Sequence, residues 1–294
     1  MEIGTVGFGR AGAAITVALA EAGHRVAGVS VRSAAAARRA RRWLPDAEQL
    51  PAPELAALVD VLVLAVSDDA LGAVAAQVAT PATGHGGVRA GTVVVHLSGR
   101  YGLAPLAPVA ASGAARAAIH PIMSLAGLDP AADAVHLRGT TFGVTTDAAA
   151  APVADRLVAD LGGRAVAVPD EARTLYHAAI VLSANYLAAL TGTAADLLAA
   201  AGVTDARHAL APLLRVSLDN ALRDGDAATT GPVRRGDAGT VAAHLDAMAA
   251  ADPAVVRAYD ILARLAARRL ESAGLLPAAA AAAIRAALDA AGRP

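Results

Sequence analysis

The chain of 294 residues contains no cysteine, so disulfides and thiolate chemistry are excluded, and a zinc site would have to be built from histidine and carboxylates alone. It also contains no lysine: all 25 basic residues are arginine. Schiff-base catalysis is therefore excluded, as is proton donation from a lysine ammonium, and any proton moved must come from histidine, tyrosine, a carboxyl group or water. Aromatic residues make up only 2% of a chain that is 56% hydrophobic. Alanine supplies much of that hydrophobicity, which points to long Ala-rich helices rather than lipid contact. The formal net charge of -1 gives no electrostatic case for nucleic acid or an anionic membrane surface. Formal charge is scarcest over Thr174 to Ala195, but His177, Ser183, Asn185, Thr191 and Thr193 lie within it. These residues are costly in hydrocarbon, so the stretch is expected to be a buried helix of a soluble protein. The first strand begins at residue 2, with no basic n-region or apolar h-region, and the expected location is the cytoplasm.

The opening residues run from a short strand into Gly7-x-Gly9-x-x-Gly12 and then an Ala-rich helix ending at Gly23, with a second strand over His24 to Val31. In that setting each glycine has a purpose. Gly7 makes the tight turn, Gly9 admits a pyrophosphate close to the backbone, and Gly12 packs helix against strand, while the helix N-terminus aims free N–H groups at the phosphates. Gly7, Phe8, Gly9, Arg10 and Gly12 are thus the expected dinucleotide-binding loop, with Ser67 facing it from another strand end. A carboxylate ~20 residues past the glycines would grip a ribose 2′-OH. This chain instead has Arg32 and Ser33 there, with Arg38, Arg39, Arg41 and Arg42 behind. A guanidinium fork and a hydroxyl suit a 2′-phosphate, so NADP is expected rather than NAD. Ser33 also suits the N-cap of the following helix, in which case the arginines form its solvated face.

The N-terminal half alternates apolar runs with helical segments, the pattern of a parallel doubly wound sheet. Strands are expected over Asp60 to Val66, Thr92 to Leu97, Ala115 to His120, Thr141 to Thr145 and Arg164 to Val168, with a helix near 148 to 161 and a surface loop over Thr80 to Gly91. Ligands in open α/β sheets sit beyond the carboxyl ends of the strands. Three polar ends then face the cleft: Ser67-Asp68-Asp69, Ser98-Gly99 and His120-Pro121. The aspartates also suit helix caps, and Ser98-Gly99 a plain turn.

After Pro169-Asp170, with Asp170 as the expected N-cap, the pattern is helical only. One helix should run from about Glu171 to Ala201, ~45 Å at 1.5 Å per residue. Others are expected near Asp205 to Asp224, Gly239 to Ala250, Pro253 to Ala273 and Pro277 to Ala291. The expected fold is α/β, a Rossmann-like doubly wound domain over 1–168, followed by an all-α domain over 169–294. His177 and Asn185 lie on one ridge of the long helix and can face one cleft. Arg234 and Arg235, in Thr230-Gly-Pro-Val-Arg-Arg-Gly-Asp237, can present guanidinium groups to a substrate carboxylate, or serve a dimer contact.

Taken together, the glycine loop, Val66-Ser-Asp-Asp69, His96-Leu-Ser-Gly99, His120-Pro121, Tyr176-His-Ala-Ala179 with Ser183-x-Asn185, and the Gly-Pro-Val-Arg-Arg-Gly-Asp run resemble the Rossmann-like proteins with a C-terminal DUF2520 domain. The resemblance spans nearly the whole chain. It implies a fold like pyrroline-5-carboxylate reductase and other 6-phosphogluconate-dehydrogenase-like enzymes, with an all-helical dimerising C-terminal domain. It leaves the substrate open, and the lysine donor of the 6-phosphogluconate-type, hydroxyisobutyrate-type and ketopantoate-type reductases is missing here. The functional expectation is an NADP-dependent oxidoreductase moving hydride to or from a small carboxylate-bearing substrate, a 2-oxo acid or cyclic imino acid. His177 is the expected proton donor, with His120 next, and catalysis should follow a histidine ionising near the ordinary ~6.5. Asn185 or Ser98 would orient the carbonyl, no metal takes part, and the protein should be a homodimer. The alternative is a regulatory NADP-binding protein without turnover.

Overall fold

The computed structural model describes residues 1–80, 86–127, 129–249 and 252–291. Residues 81–85 of the expected surface loop, and Ala250 at the end of an expected helix, lie outside that set.

Runs of Val, Ile and Leu bounded by polar turns form the strands, and alanine-rich segments between them form the helices. The order is β1 (Glu2–Val6), α1 (Arg10–Glu21), β2 (Arg25–Ser30), α2 (Ala34–Trp43), β3 (Glu48–Gln49), α3 (Ala52–Ala56), β4 (Val61–Leu64), α4 (Asp68–Ala79), β5 (Val93–His96), α5 (Ala107–Ala110), β6 (Ala115–Pro121), α6 (Pro130–Leu137), β7 (Thr141–Thr146), α7 (Ala151–Asp160) and β8 (Arg164–Ala167). The strands make one eight-stranded sheet in the order β3-β2-β1-β4-β5-β6-β7-β8. Every expected strand is present, and the two-residue β3 is added at the edge.

One expectation needs correction. The sheet is not wholly parallel, because β6 and β7 pair antiparallel, His120 opposite Gly143. The connection between them carries only the eight-residue α6, and an alternating apolar pattern looks the same in either direction. Apolar clusters cover both faces, one on Ile3, Val63, Val95, Ile119 and Phe142, the other on Leu55, Leu62, Leu64, Val94 and Leu106.

The helical part comprises α8 (Arg173–Ala200), α9 (Ala206–Asp224), α10 (Gly231–Arg235), α11 (Ala238–Met248), α12 (Pro253–Ser272) and α13 (Ala278–Ala291). The chain divides into compact units at residues 1–186 and 187–294, so the first turns of α8 belong with the sheet, whereas the expected boundary fell at 168. Asp170 does not cap α8. It opens a 3₁₀ turn over Asp170–Ala172, and its carboxylate accepts the Leu103 N–H at 2.8 Å.

The long helix also departs from expectation. Asp170–Ala200 is long and apolar enough to cross a membrane by length and composition, but only 6% of its most apolar window is buried. Its apolar composition calls for a cover that the chain's own core does not provide. The second unit has a separate core on Val241, Ala267, Leu270, Leu276, Ile284 and Leu288.

Candidate active site

The glycine loop is built as its residue types require. Gly7 has φ +91°, and a Cβ there would lie 2.5 Å from the Ala65 carbonyl oxygen. A Cβ on Gly12 would lie 2.4 Å from the Gly7 oxygen and 2.7 Å from Ala65 Cβ. Gly9 differs: its φ is -76° and nothing lies within 4 Å of the position a Cβ would take. Neither folding nor backbone strain requires glycine at that point, so the open space above it is room for a ligand. Gly9 is the N-cap of α1 and provides no side-chain cap, which leaves the first amides of the helix for an anion.

A cavity of about 670 Å³ opens from this loop over the end of β2, lined by Gly7, Ser30, Arg32, Gln49, Ser67 and Gln77 among others. No carboxylate lines it, and Arg32 is the charged group that does. Ser33 is the N-cap of α2, its Oγ accepting the Ala36 N–H at 3.2 Å. Arg39 donates to the Phe8 carbonyl from Nε (3.0 Å) and Nη2 (2.5 Å), tying α2 to the glycine loop. Of the arginines behind β2, then, Arg39 is a strut and Arg32 faces the cavity. These residues fit a dinucleotide whose ribose carries a phosphate.

A second cavity, about 490 Å³, shares Ala65, Val66 and Ser67 with the first, and Arg10, Leu97, His120, Pro121, Met123 and Leu125 also line it. Ser67 precedes α4 without capping it through its side chain, its hydroxyl makes no hydrogen bond among the described residues, and Asp68 and Asp69 occupy the first turn. The loop after β6 is held by the buried carboxylate of Asp133, which accepts the amides of Ala126 and Gly127 at 3.3 and 2.7 Å.

At the far end of this cavity three rings meet. His120 Nδ1 is 2.9 Å from the Tyr176 hydroxyl, and the His120 ring lies edge-on to both Tyr176 and His177, at centroid distances of 5.7 and 5.9 Å. Gly99 makes room for them, because a Cβ there would stand 2.6 Å from His177 Cδ2 and 2.9 Å from His120 Nε2. Burial, then the neighbouring His177 and Arg173, push the His120 pKa down to about 4. Burial raises the Tyr176 phenol, with Arg173 and a backbone hydrogen bond to Gly143 pulling the other way.

The strand ends feeding the site are fastened in ways the sequence did not announce. Buried His96 accepts the Ser98 N–H at Nδ1 (3.1 Å) and meets the Gly102 carbonyl through Nε2 (2.7 Å). Ser98 Oγ accepts the Tyr101 N–H at 3.2 Å, so the hydroxyl closes the turn. Arg173, buried in the first turn of α8, donates to Thr145 Oγ1 and to the carbonyls of Ala118 and Gly143. An arginine opening an otherwise apolar helix was the available signal for Arg173. The histidine closing a valine run was the signal for His96.

Of the other expected site residues, Asn185 is exposed on α8. Within the helical unit, Arg234 donates to the Leu275 carbonyl. Asp237 caps α11 by accepting the Thr240 amide at 3.0 Å, and Arg235 is exposed with no ion pair among the described residues. Among the described residues no group of three or more His, Asp or Glu could hold a metal.

Comparison with known families agrees with this architecture. A Rossmann-like domain matches residues 1–121, and a domain of unknown function, DUF2520, matches residues 140–266. The chain is a Rossmann-like protein with a C-terminal DUF2520 domain. No protein of curated function matches it by sequence. Among solved structures it is similar to a candidate NADP oxidoreductase from Bacteroides fragilis, with a TM-score of 0.75 and 20% identity over 91% of this chain and 98% of that one. It is similar to an imine reductase from Streptomyces aurantiacus, with a TM-score of 0.63 and 18% identity over 96% and 98% of the two chains. A pyrroline carboxylate reductase from Plasmodium falciparum with NADP bound gives a TM-score of 0.55 and 13% identity over 99% and 97%. At these identities the DUF2520 protein shares their fold.

Proposed function

We propose that this DUF2520 protein is an NADP-dependent oxidoreductase acting on a small carboxylate-bearing substrate, a 2-oxo acid or cyclic imino acid, or the corresponding alcohol or amine. The observation that carries this is the continuity of the cavity lining. It runs from the glycine loop and Arg32, past the shared Ser67, to the imidazole of His120. When bound, the nicotinamide supplies or takes up hydride. The chain's residues must then bind the substrate, orient it and manage one proton.

His120 is assigned to the substrate oxygen or nitrogen, because its ring lines the cavity. His177 packs edge-on behind it and is the second candidate. With its pKa near 4, His120 is neutral at physiological pH. A neutral imidazole accepts the substrate's proton as hydride leaves for the cofactor during oxidation; in reduction the ring must first take up a proton, which it then passes to the substrate oxygen or nitrogen as hydride arrives. Ser67 and Arg10 line the same cavity as candidate orienting groups. Of the two arginines expected to hold a carboxylate, Arg235 is the one whose guanidinium is uncommitted among the described residues.

We further assign the protein to the cytoplasm as a homodimer formed through the helical half. Leu182, Tyr186, Leu213 and Leu222 are 65%, 55%, 61% and 78% exposed in the single chain, and Ala184 and Ala188 are exposed on the other side of α8. Large apolar side chains exposed in such number favour association.

The test is single-turnover loss of NADPH absorbance across a panel of oxo and imino acids, with NADP⁺ reduction by the matching alcohols and amines run in parallel. Oxidation of the cofactor by one chemical class is expected. Thermal protection by NADPH with no turnover on any member would favour a regulatory binding protein instead.

A further inference from the structure

Arg173 heads the fully buried side chains by size, and it is a cation only 1% exposed. Among the described residues no carboxylate lies within ion-pairing distance of it. Asp170, three residues earlier, has committed its carboxylate to the Leu103 amide. The guanidinium is held instead by β6, β7 and the turn after β5: Nε donates to Thr145 Oγ1 (2.8 Å), Nη2 to the carbonyls of Ala118 (2.8 Å) and Gly143 (3.1 Å), and Nη1 reaches Ser98 O at 3.5 Å. Its carbon centre lies 5.6 Å from the centroid of the Tyr176 ring, a cation–π distance. A buried charge without a counter-ion is costly, and an apolar residue of similar volume commonly stabilises a fold better. A packing role alone therefore accounts poorly for an arginine at this point.

We infer that Arg173 is the positioning residue of the site: by pinning β6, β7, the turn after β5 and the Tyr176 ring together, it keeps the Tyr176 hydroxyl on Nδ1 of His120, leaving Nε2 as the nitrogen offered to a ligand. The inference rests on the reading of His120 as the group that meets the substrate. Two consequences follow. The imidazole is confined to one orientation, because its Nδ1 is occupied. It is also held in its neutral form, by burial first and then by the neighbouring His177 and the fixed positive charge of Arg173. The groups around His120 bear this out from every side. Arg173, Tyr176 and His177 face it from α8, His96 from the end of β5, Asp68 from the first turn of α4, and Arg10 lines the same cavity from α1. Of the two aspartates nearby, Asp68 acts on the His120 ring, and Asp170 acts on Arg173 while its carboxylate accepts a backbone amide. The site thereby keeps its positive charge off the histidine and favours ligands that bring, or develop, negative charge near Nε2.

The experiment is an imidazole ¹⁵N NMR titration of the full chain, with the His120 resonances assigned by His120→Asn. In the parent protein His120 should show one neutral tautomer and stay uncharged down to about pH 5. In Arg173→Met the proton affinity of His120 should rise severalfold, burial and His177 still holding it below the ordinary value, and the tautomers should mix. Arg173→Lys, which restores the charge, should recover at least half of that change in affinity. A folded Arg173→Met protein with the parent's His120 tautomer and titration would overturn the inference and leave Arg173 as a strut. If Arg173→Met does not fold, Tyr176→Phe decides: an unchanged His120 tautomer there overturns the inference equally. None of these readouts needs a substrate. Intact His120 behaviour together with no NADPH turnover on any substrate class would therefore refute the oxidoreductase reading while leaving the positioning role standing.

Discussion

Nε2 of His96 lies 2.7 Å from the carbonyl oxygen of Gly102, and that contact fixes the ring's protonation. A carbonyl only accepts, so Nε2 carries the hydrogen. The Ser98 amide only donates, so Nδ1 is bare. The ring is thus a neutral staple closing the turn from Ser98 to Gly102.

This staple makes acid stability testable. Burial drives the His96 pKa from 6.5 down to about 4, outweighing the hydrogen bond to Gly102. Between those values the unfolded chain binds the proton and the folded chain does not, so stability should fall as pH drops from 6.5 towards 4. For a shift of that size the loss is on the order of 3 kcal/mol. Denaturant midpoints measured across that window should follow this slope. His120, lowered to about 4 in the same way, adds a comparable slope, so His96→Gln should be less stable at pH 7 and lose about half of the pH dependence; an unchanged slope in that variant would place the titration elsewhere.

Gly9→Ala should separate folding from binding. The added methyl meets nothing within 4 Å and φ is already negative. Thermal stability without cofactor should hold or rise by up to ~1 kcal/mol. Affinity for NADPH should fall ~10-fold or more, because the methyl occupies the closest approach of the pyrophosphate. Calorimetry on the variant checks both halves, and undiminished NADPH binding would move the phosphate site away from this loop.

Arg32 gives the matching prediction for cofactor choice. The parent should bind NADPH more tightly than NADH, and Arg32→Asp should abolish or reverse the preference. A change of ~10- to 100-fold in the ratio is expected, the scale of a lost charge-assisted hydrogen bond and an introduced repulsion. Equal dissociation constants in the parent would count against a 2′-phosphate site at Arg32.

The N-terminal half was legible because its signals are local. Gly7, Gly9 and Gly12 each answer to a backbone constraint within a few residues, and the valine-rich runs Val61–Leu64 and Val93–His96 have no other place than a covered sheet. His120, His177 and Ser98 stood out as polar groups at strand ends or in an apolar helix. Their grouping could not be read, since it depends on Gly99 and Gly143 leaving space for rings 21 to 78 residues away in sequence. The ranking of His177 over His120 rests on its place on the long helix, beside Tyr176 and one ridge from Asn185, and on the proline that follows His120. In the fold, Pro121 lines the same cavity as His120 and does not remove it from the site. Arg173 went unremarked because a charge near a helix start normally faces water, and only the antiparallel turn of β7 brings carbonyls to it.

The last prediction concerns the exposed length of α8. Composition led to the expectation of a buried helix, and in the single chain Leu182 is 65% and Tyr186 55% exposed. A membrane is a poor cover for it, because Arg173 and Tyr176 in its first turns are committed to the sheet by hydrogen bonds to Gly143 and His120. A second copy of the chain is the better cover. Ala184 and Ala188, small and exposed, allow close approach of another helix, and α9 carries exposed leucines of its own. Light scattering should therefore report a dimer at micromolar concentration. Leu182→Arg, which places a charge in that surface without touching either unit's core, should weaken association by ~10²-fold or more while NADPH binding to the glycine loop persists. A parent protein that runs as a monomer at that concentration, with its helical content intact, would rule the dimer out.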